Sequence, residues 1–416
     1  MPPPPRALPE EIVEEILLRL PPHKPAYLVR ASVVSKPWLA LVSSARFRDR
    51  YRQFHGPPPM LGFLKSRPWN CWFRPEDPSP PFISTSSFRA RISDDDSWDH
   101  NNYAVWDCRH GRVLLGEKNA APMKMAVWDP MTGRRRELQE PRCMVVEHKD
   151  GLNAAAVVCA VSGCDHRACN DGPFRVVFFS LHNVDEFPGF AAQACVSSPE
   201  TTEHINPPSD SRRAQWSEPC SRIPIEPVGF IEPNHPVLVK DALHFMLAFE
   251  YDYNNVLYDD VARVQILKYD LSFDSLSLIY APMAAEDTFG NSILMAMEDG
   301  TLGFARWQKL TLTIWSRQTG SDGVALWTRS RVISLKNIPP VKVRNKMFAL
   351  LGSMEGHDII FVYTELGVYQ INLKTLRRKK IWKEEYFNAL IPYTGFYIPR
   401  VSQVLDYSGY VCCLIC

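Results

Sequence analysis

The chain has 416 residues with 47 basic and 46 acidic side chains, a net charge of +1. So even a balance creates no global field to draw in nucleic acid or an anionic membrane surface. At 45% hydrophobic and 22% charged residues, the composition is that of a folded protein long enough for two or more domains.

No apolar run approaches the roughly eighteen residues of a membrane span. Met1 to Pro5 followed by Arg6 offers no apolar core for a secretory leader. The expectation is a cytoplasmic or nuclear protein with no membrane and no nucleic-acid partner. Eleven cysteines, an odd number without framework spacing, read as reduced thiols. Thirty-five prolines against twenty glycines point to many turns and short elements.

After a Pro-rich lead (1–7) expected to be disordered, residues 8–55 read as a helical domain. Ile12, Ile16 and Leu20 recur at i, i+4, i+8, and Val13 and Leu17 widen the apolar face. Pro9 suits the first helical turn, Glu10 and Glu11 sit at the positive end of the helix dipole, and Pro21-Pro22 closes the element. A second helix begins at Pro25 with Tyr27, Leu28 and Ala31 on one side. Ser35 caps a third, which carries Trp38, Leu41 and Val42 inward. Phe47, Tyr51 and Phe54 repeat at i, i+4, i+7 in a fourth, and Gly56 with Pro57 to Pro59 stops it. Three to four short helices of this size bury little core by themselves.

Leu8-Pro9-Glu10, Ile16, Leu20-Pro21, Leu28, then Val34-Ser35-Lys36-Pro37-Trp38 with Leu41 and Phe47 resembles the F-box. Ser35 and Pro37 stand where many F-boxes have Cys and Arg. The resemblance implies docking on a Skp adaptor and, through it, a cullin. On this reading the adaptor meets Leu8, Pro9, Glu10, Ile12, Ile16, Leu20, Pro21, Leu28, Val34, Lys36 and Trp38. These helix faces divide between an internal core and the adaptor, and Trp38 locks the third helix.

Beyond a linker (56–59), residues 60–400 lose helical periodicity. Short strand-like runs at 60–64, 103–107, 112–115, 125–128, 154–161, 174–181, 242–249 and 264–269 are separated by turn residues. They continue at 292–297, 303–307, 310–315, 324–327, 347–351, 359–363, 368–373 and 393–398. A weak repeat runs through them. Val127-Trp128-Asp129 leading to Leu138, Leu267-Lys268-Tyr269-Asp270 leading to Ile279, and Tyr369-Gln370-Ile371-Asn372 leading to Ile381 each join two strands through an Asp or Asn turn. A hairpin repeated at wide spacing predicts an all-β propeller-like domain, with about six or seven blades at roughly 45–50 residues each. Residues 401–416 form a tail.

Asp107-Cys108-Arg109-His110-Gly111-Arg112-Val113-Leu114-Leu115, Val127-Trp128-Asp129-Pro130 and Pro392-Tyr393-Thr394, behind such a helical head, resemble plant F-box proteins with an F-box-associated β-propeller-like domain. That resemblance implies a non-catalytic, substrate-recruiting subunit of a Skp–cullin–F-box ubiquitin ligase. Its target protein stays unidentified.

Other groups were weighed against plainer readings. Cys159, Cys164, His166 and Cys169 bring four soft ligands close in sequence, but they lack paired C-x₂-C knuckles, so buried thiols and no metal are expected. Cys413-Leu414-Ile415-Cys416, with Cys412 beside it, fits a loose prenylation outline without a basic cluster nearby and reads as an apolar tail. Arg377-Arg378-Lys379-Lys380 reads as a solvated turn rather than a nuclear signal. Asp94-Asp95-Asp96 with Trp98, Asp99 and His100 reads as a solvated loop, and Trp69, Trp72, Trp307, Trp315 and Trp327 as core. No phosphate loop, nucleophile elbow or metal-spaced His pair is present, so neither catalysis nor a cofactor is expected. The alternative function is a glycan- or peptide-binding propeller with the helices as its cap.

Overall fold

The computed structural model describes residues 8–66, 82–91, 103–117, 124–138, 153–161, 172–183, 190–197, 216–225, 229–232, 235–249, 263–284, 291–308, 311–320, 323–334, 348–383 and 389–399, with Pro141, Gly163, Cys164, Cys169 and Phe387. The Pro-rich lead, the tail with Cys412, Cys413 and Cys416, the acidic run at 94–96, Trp69, Trp72 and His166 lie outside the described residues.

Four helices come first: α1 (Glu10–Leu18), α2 (Pro25–Ser32), α3 (Lys36–Ser43) and α4 (Ala45–His55). Ser35 Oγ accepts from the Trp38 amide at 3.4 Å, as its N-cap position predicts. Ser44 serves both neighbours, donating to Leu41 O at 2.8 Å and accepting from Phe47 N at 3.1 Å. Gly56, at φ +69°, takes the left-handed conformation that ends α4.

Six sheets follow. β1 (Met60–Ser66) and β2 (Phe82–Ser84) open the β region. Blade one is β3 (Tyr103–Arg109), β4 (Arg112–Glu117), β5 (Met125–Trp128) and β6 (Arg135–Leu138). Blade two is β7 (Asn153–Cys159), β8 (Phe174–Asn183), β9 (Phe190–Val196) and β10 (Ile223–Ile225). In blade three, β11 (Gly229–Ile231) and β12 (Val237–Val239) both pair with β13 (Ala242–Phe249), followed by β14 (Arg263–Asp270) and β15 (Ser275–Ala284). Blade four is β16 (Ser292–Ala296), β17 (Leu302–Gln308), β18 (Thr311–Thr319) and β19 (Ala325–Ser334). Blade five is β20 (Phe348–Ser353), β21 (Ile359–Thr364), β22 (Gly367–Asn372) and β23 (Arg378–Trp382). Finally β24 (Ala389–Thr394) returns to pair antiparallel with β1, making the sixth sheet β2-β1-β24 and closing the ring.

All six seams between neighbouring blades are apolar. Leu114, Val157 and Phe178 fill the first, and Phe179, Phe245 and Tyr269 the second. Ile266 and Phe304 fill the third, Ile293, Trp307 and Ile360 the fourth. Phe63 and Phe361 then seal blade five to the closing sheet, and Tyr393 and Val113 seal that sheet to blade one. Alternate faces of each strand serve alternate seams, which is why the central strands are buried on both sides.

The three repeated hairpins are the turns between the last two strands of blades one, three and five. Asp129 accepts from Met131 N at 2.8 Å, Asp270 from Ser272 N at 3.1 Å and Asn372 from Thr375 N at 2.8 Å. The Asp and Asn side chains thus do in each turn what their position predicts.

The motif at 107–112 also resolves into roles. His110 (φ +51°) and Gly111 (φ +75°) make the tight β3–β4 turn. Asp107 and Arg109 point inward and join separate blades. Arg109 forms ion pairs with Asp107 and, at 2.7 Å, with Glu355 after β20, and it donates to Pro236 O ahead of β12. Asp107 accepts from Val157 N of β7 at 2.9 Å, and Glu355 accepts from Leu238 N at 3.0 Å. Burial pushes the Asp107 carboxyl up against the pull of Arg109. For Glu355, burial also pushes upward, but the Arg109 charge holds the carboxyl below its usual value.

Several sequence expectations change. Helix α1 ends at Leu18, before the proline pair. Phe54 is exposed, because α4 turns only Phe47 and Tyr51 inward. The final strand lies at 389–394 rather than 393–398, and 395–399 leave the sheet to meet the helices. Arg378 to Lys380 are solvated as expected, but on the edge strand β23 rather than in a turn.

Two tests follow from this core. Arg109→Met leaves Asp107 buried beside no cation and is expected to lower stability by about 3–5 kcal/mol, read from denaturant midpoints. Asp107→Leu added to it should restore part of the loss. His244, buried on β13 with Nδ1 3.3 Å from Val237 O, has its imidazole pushed down by burial to about 4. A neutral form favoured only in the fold is lost to the protonated unfolded chain as pH falls from about 6.5 toward 4. About 3 kcal/mol should disappear across that window, and His244→Gln should flatten the slope.

Candidate docking surface on the N-terminal helices

Helix α1 presents two apolar faces rather than one. Val13, Leu17 and Leu18 turn into a core with Leu28, Ala31, Val42, Phe47 and Tyr51. That core is completed from outside the helices by Phe396 and Ile398, which follow the last strand. The Tyr51 and Phe396 rings meet edge to face at 6.0 Å. Ser43 Oγ donates to Pro399 O at 3.3 Å, so residues 396–399 are held to α3 as well.

Polar contacts fix the helices against one another. Tyr51 Oη donates to Leu20 O at 2.7 Å, and a His55 ring nitrogen lies 2.8 Å from Leu18 O, tying α4 to the end of α1. Glu14 meets Arg50 at 2.7 Å, and Glu15 meets both Arg19 and Arg50 at 2.8 Å. Hydrogen bonds from Arg19 and Arg50 hold the Glu15 carboxyl below its usual value. Burial pushes the Tyr51 phenol well above its own.

The opposite face of α1 is uncovered. Ile12 and Ile16 share this face at i, i+4, and Leu8, just ahead of the N-cap Pro9, is exposed with Pro9 and Glu10. A second apolar group consists of Tyr27 on α2 with Val33 and Val34 in the α2–α3 turn, beside exposed Lys36. These six apolar side chains are 41% to 65% exposed, a high value for residues of this size within a short segment. The other sequence-assigned residues fall differently. Leu28 is 1% exposed and belongs to the core, which corrects its assignment to a docking face. Leu20 and Trp38 are half-buried and pack on that core, and Pro21 is half-buried. Tyr27 and Val33 were not assigned to the surface from sequence. Tyr27 lies four residues before Ala31 and shares its helical spacing, so the sequence placed it on the same side as Leu28 and Ala31, and its exposure corrects that placement.

With this geometry in place, the comparisons decide the module. The family model for the F-box domain matches residues 7–50. This segment is an F-box. An Arabidopsis thaliana relative, F-box protein At5g03970, is 22% identical over 91% of this chain and 85% of its own length. The likeness therefore extends through the six-bladed propeller behind the F-box.

Among solved structures, an oligogalacturonate lyase in complex with manganese is 9% identical, with a TM-score of 0.33 over 73% of this chain and 68% of its own. A PQQ-bound aldose sugar dehydrogenase from Streptomyces coelicolor is 11% identical, with a TM-score of 0.36 over 80% and 88%. At such scores neither bears on what this chain does.

Elsewhere, Trp307 is buried and Trp315 and Trp327 pack at the third seam. No helix among the described residues is long and apolar enough to cross a membrane. A small cleft is lined by His235, Met246, Ile293, Leu294, Gly352 and Ser353.

Phe396→Ala should cost about 3 kcal/mol or more and loosen the F-box selectively. Hydrogen exchange is expected to quicken in α1 and α4 while blades two to four keep their protection.

Proposed function

We propose that the chain is a non-catalytic, substrate-recruiting subunit of a Skp–cullin–F-box ubiquitin ligase. The observation that carries this reading is the exposed pair Ile12 and Ile16 on a helix whose other face is sealed, with exposed Leu8 just ahead of the helix. A helical cap buries one stripe and turns polar side chains to solvent. Here the outer face of α1 carries Ile12 and Ile16, which suits a second polypeptide.

On this reading a Skp adaptor meets Leu8, Pro9, Glu10, Ile12 and Ile16, with Val34, Lys36, Tyr27 and Val33 at the second group. Leu20, Pro21 and Trp38 hold the helix ends beneath that surface. A stable complex of this kind buries on the order of 1,600 Å² in total, with a few apolar anchors dominating. The adaptor links the chain to a cullin in the cytoplasm or nucleus. The propeller holds a target protein near the charged ligase, and its contribution is proximity, because a tethered lysine reacts as if at high local concentration.

The second reading, a glycan- or peptide-binding propeller capped by helices, draws on the shared packing of Phe396 and Ile398 with the F-box. Co-purification with a Skp adaptor separates the two. Ile12→Arg with Ile16→Arg is expected to weaken adaptor binding by about thirtyfold or more without shifting the melting temperature, since both side chains are already in solvent. Phe273→Ser, on the exposed β14–β15 turn, should leave binding unchanged. An adaptor that ignores the intact chain, while an array of glycans or peptides finds a ligand for it, would favour the second reading.

A further inference from the structure

Three cysteines far apart from the F-box converge at the tip of the β7–β8 hairpin. Cys159 ends β7, and Cys164 and Cys169 lie in the connection to β8. Their sulfurs all lie within 4.8 Å of one another. We infer that Cys159, Cys164 and Cys169 form a three-thiolate zinc site that clasps this loop.

The placement is not what core packing produces. Cys195 and Cys220 are buried in the apolar seams on either side of blade two, surrounded by aliphatic and aromatic side chains. Cys159 and Cys164 are instead half-exposed at a hairpin tip, with only Cys169 buried. Hydrophobic burial gives no reason to gather three sulfurs there.

Metal geometry does give one. A tetrahedral zinc with Zn–S bonds of about 2.3 Å sets its sulfurs about 3.8 Å apart. Separations of at most 4.8 Å close to that value by small side-chain rotations. The fourth position is left to water or another donor.

The loop is also built to hold this arrangement. Its neck is fastened by Ala160 N donating to Pro173 O at 3.0 Å, and Gly172 N donating to Cys169 O at 3.0 Å. Gly163, at φ +67°, turns the chain back between the first two cysteines. The Val161 amide lies 3.4 Å from Cys159 Sγ, an N–H to sulfur contact that favours the thiolate.

Arg112, buried at the start of β4, braces the same loop by donating to Cys169 O at 3.2 Å and to Gly172 O. Three thiolates this close repel one another, and a cation between them relieves that repulsion. Binding replaces three S–H bonds with three Zn–S bonds and releases three protons to solvent.

The test uses full-length protein, reduced and stripped with chelator, then titrated with cobalt(II) as the spectroscopic probe. One equivalent should produce thiolate-to-cobalt charge-transfer absorption and the visible bands of a tetrahedral ion, and zinc should abolish both. Cys159→Ser, Cys164→Ser and Cys169→Ser should each weaken uptake by about a hundredfold, while Cys108→Ser should not. Zinc should also raise the melting temperature of the parent chain, a readout that needs no variant. The inference is overturned if the parent shows no charge-transfer band, if the band survives the three substitutions, or if thiol counting finds two of the three in a disulfide.

Discussion

Pairing of β1 with β24 is the contact on which the rest of the molecule depends. It joins the first strand of the propeller to the last, and without it the five other blades would have an open seam at each end. The two apolar clusters on either side of this sheet, around Phe63 and Phe361 and around Tyr393 and Val113, form only when both strands are present. Closure also brings residues 56–59 and 395–399 side by side, with Gly395 N donating to Pro59 O at 3.1 Å. The chain therefore leaves the propeller beside the point where the F-box enters it, and Phe396 and Ile398 finish the F-box core. A helical module too small to bury a core alone obtains the missing side chains from the far end of the chain.

Burial and charge divide the work inside the ring. The seams supply non-directional apolar burial, which would tolerate small shifts of one blade past its neighbour. Arg109 does not, because its partners come from β3, from the approach to β12 and from the turn after β20. A desolvated guanidinium is tolerable only when its carboxylate and carbonyl partners stand in place. The Asp107–Arg109 pair thus fixes how the blades are set, while the seams supply most of the stabilisation.

Local patterns were legible in the sequence, and long-range ones were not. Ser35 as a cap, the Pro25 start of α2 and the three turns at Asp129, Asp270 and Asn372 depend on neighbours within a few residues, so composition reveals them. The blade estimate followed from those hairpins. Strand β9, with the sequence Phe-Ala-Ala-Gln-Ala-Cys-Val, went unnoticed because its small residues carry weak strand preference, and its pairing with β8 decides its conformation. The two faces of α1 were merged into one because every apolar residue counts equally in a helical wheel. Which face is buried depends on Phe47, Tyr51 and Phe396. The last of these contacts spans nearly the whole chain, as does the bond from Ser43 to Pro399. The three cysteines showed unhelpful spacing because folding of a hairpin tip, not sequence interval, brings them together.

The order in which these parts are made carries its own consequence. β24 and Phe396 follow every other described element in the chain, so a growing polypeptide exposes its leading helices long before their core can be finished. Until the ring shuts, those helices would be loosely packed. A chain cut short during synthesis would keep the greasy row on α1 yet lack the scaffold that holds it rigid. The F-box core is complete only once Phe396 and Ile398 have been made and packed against it.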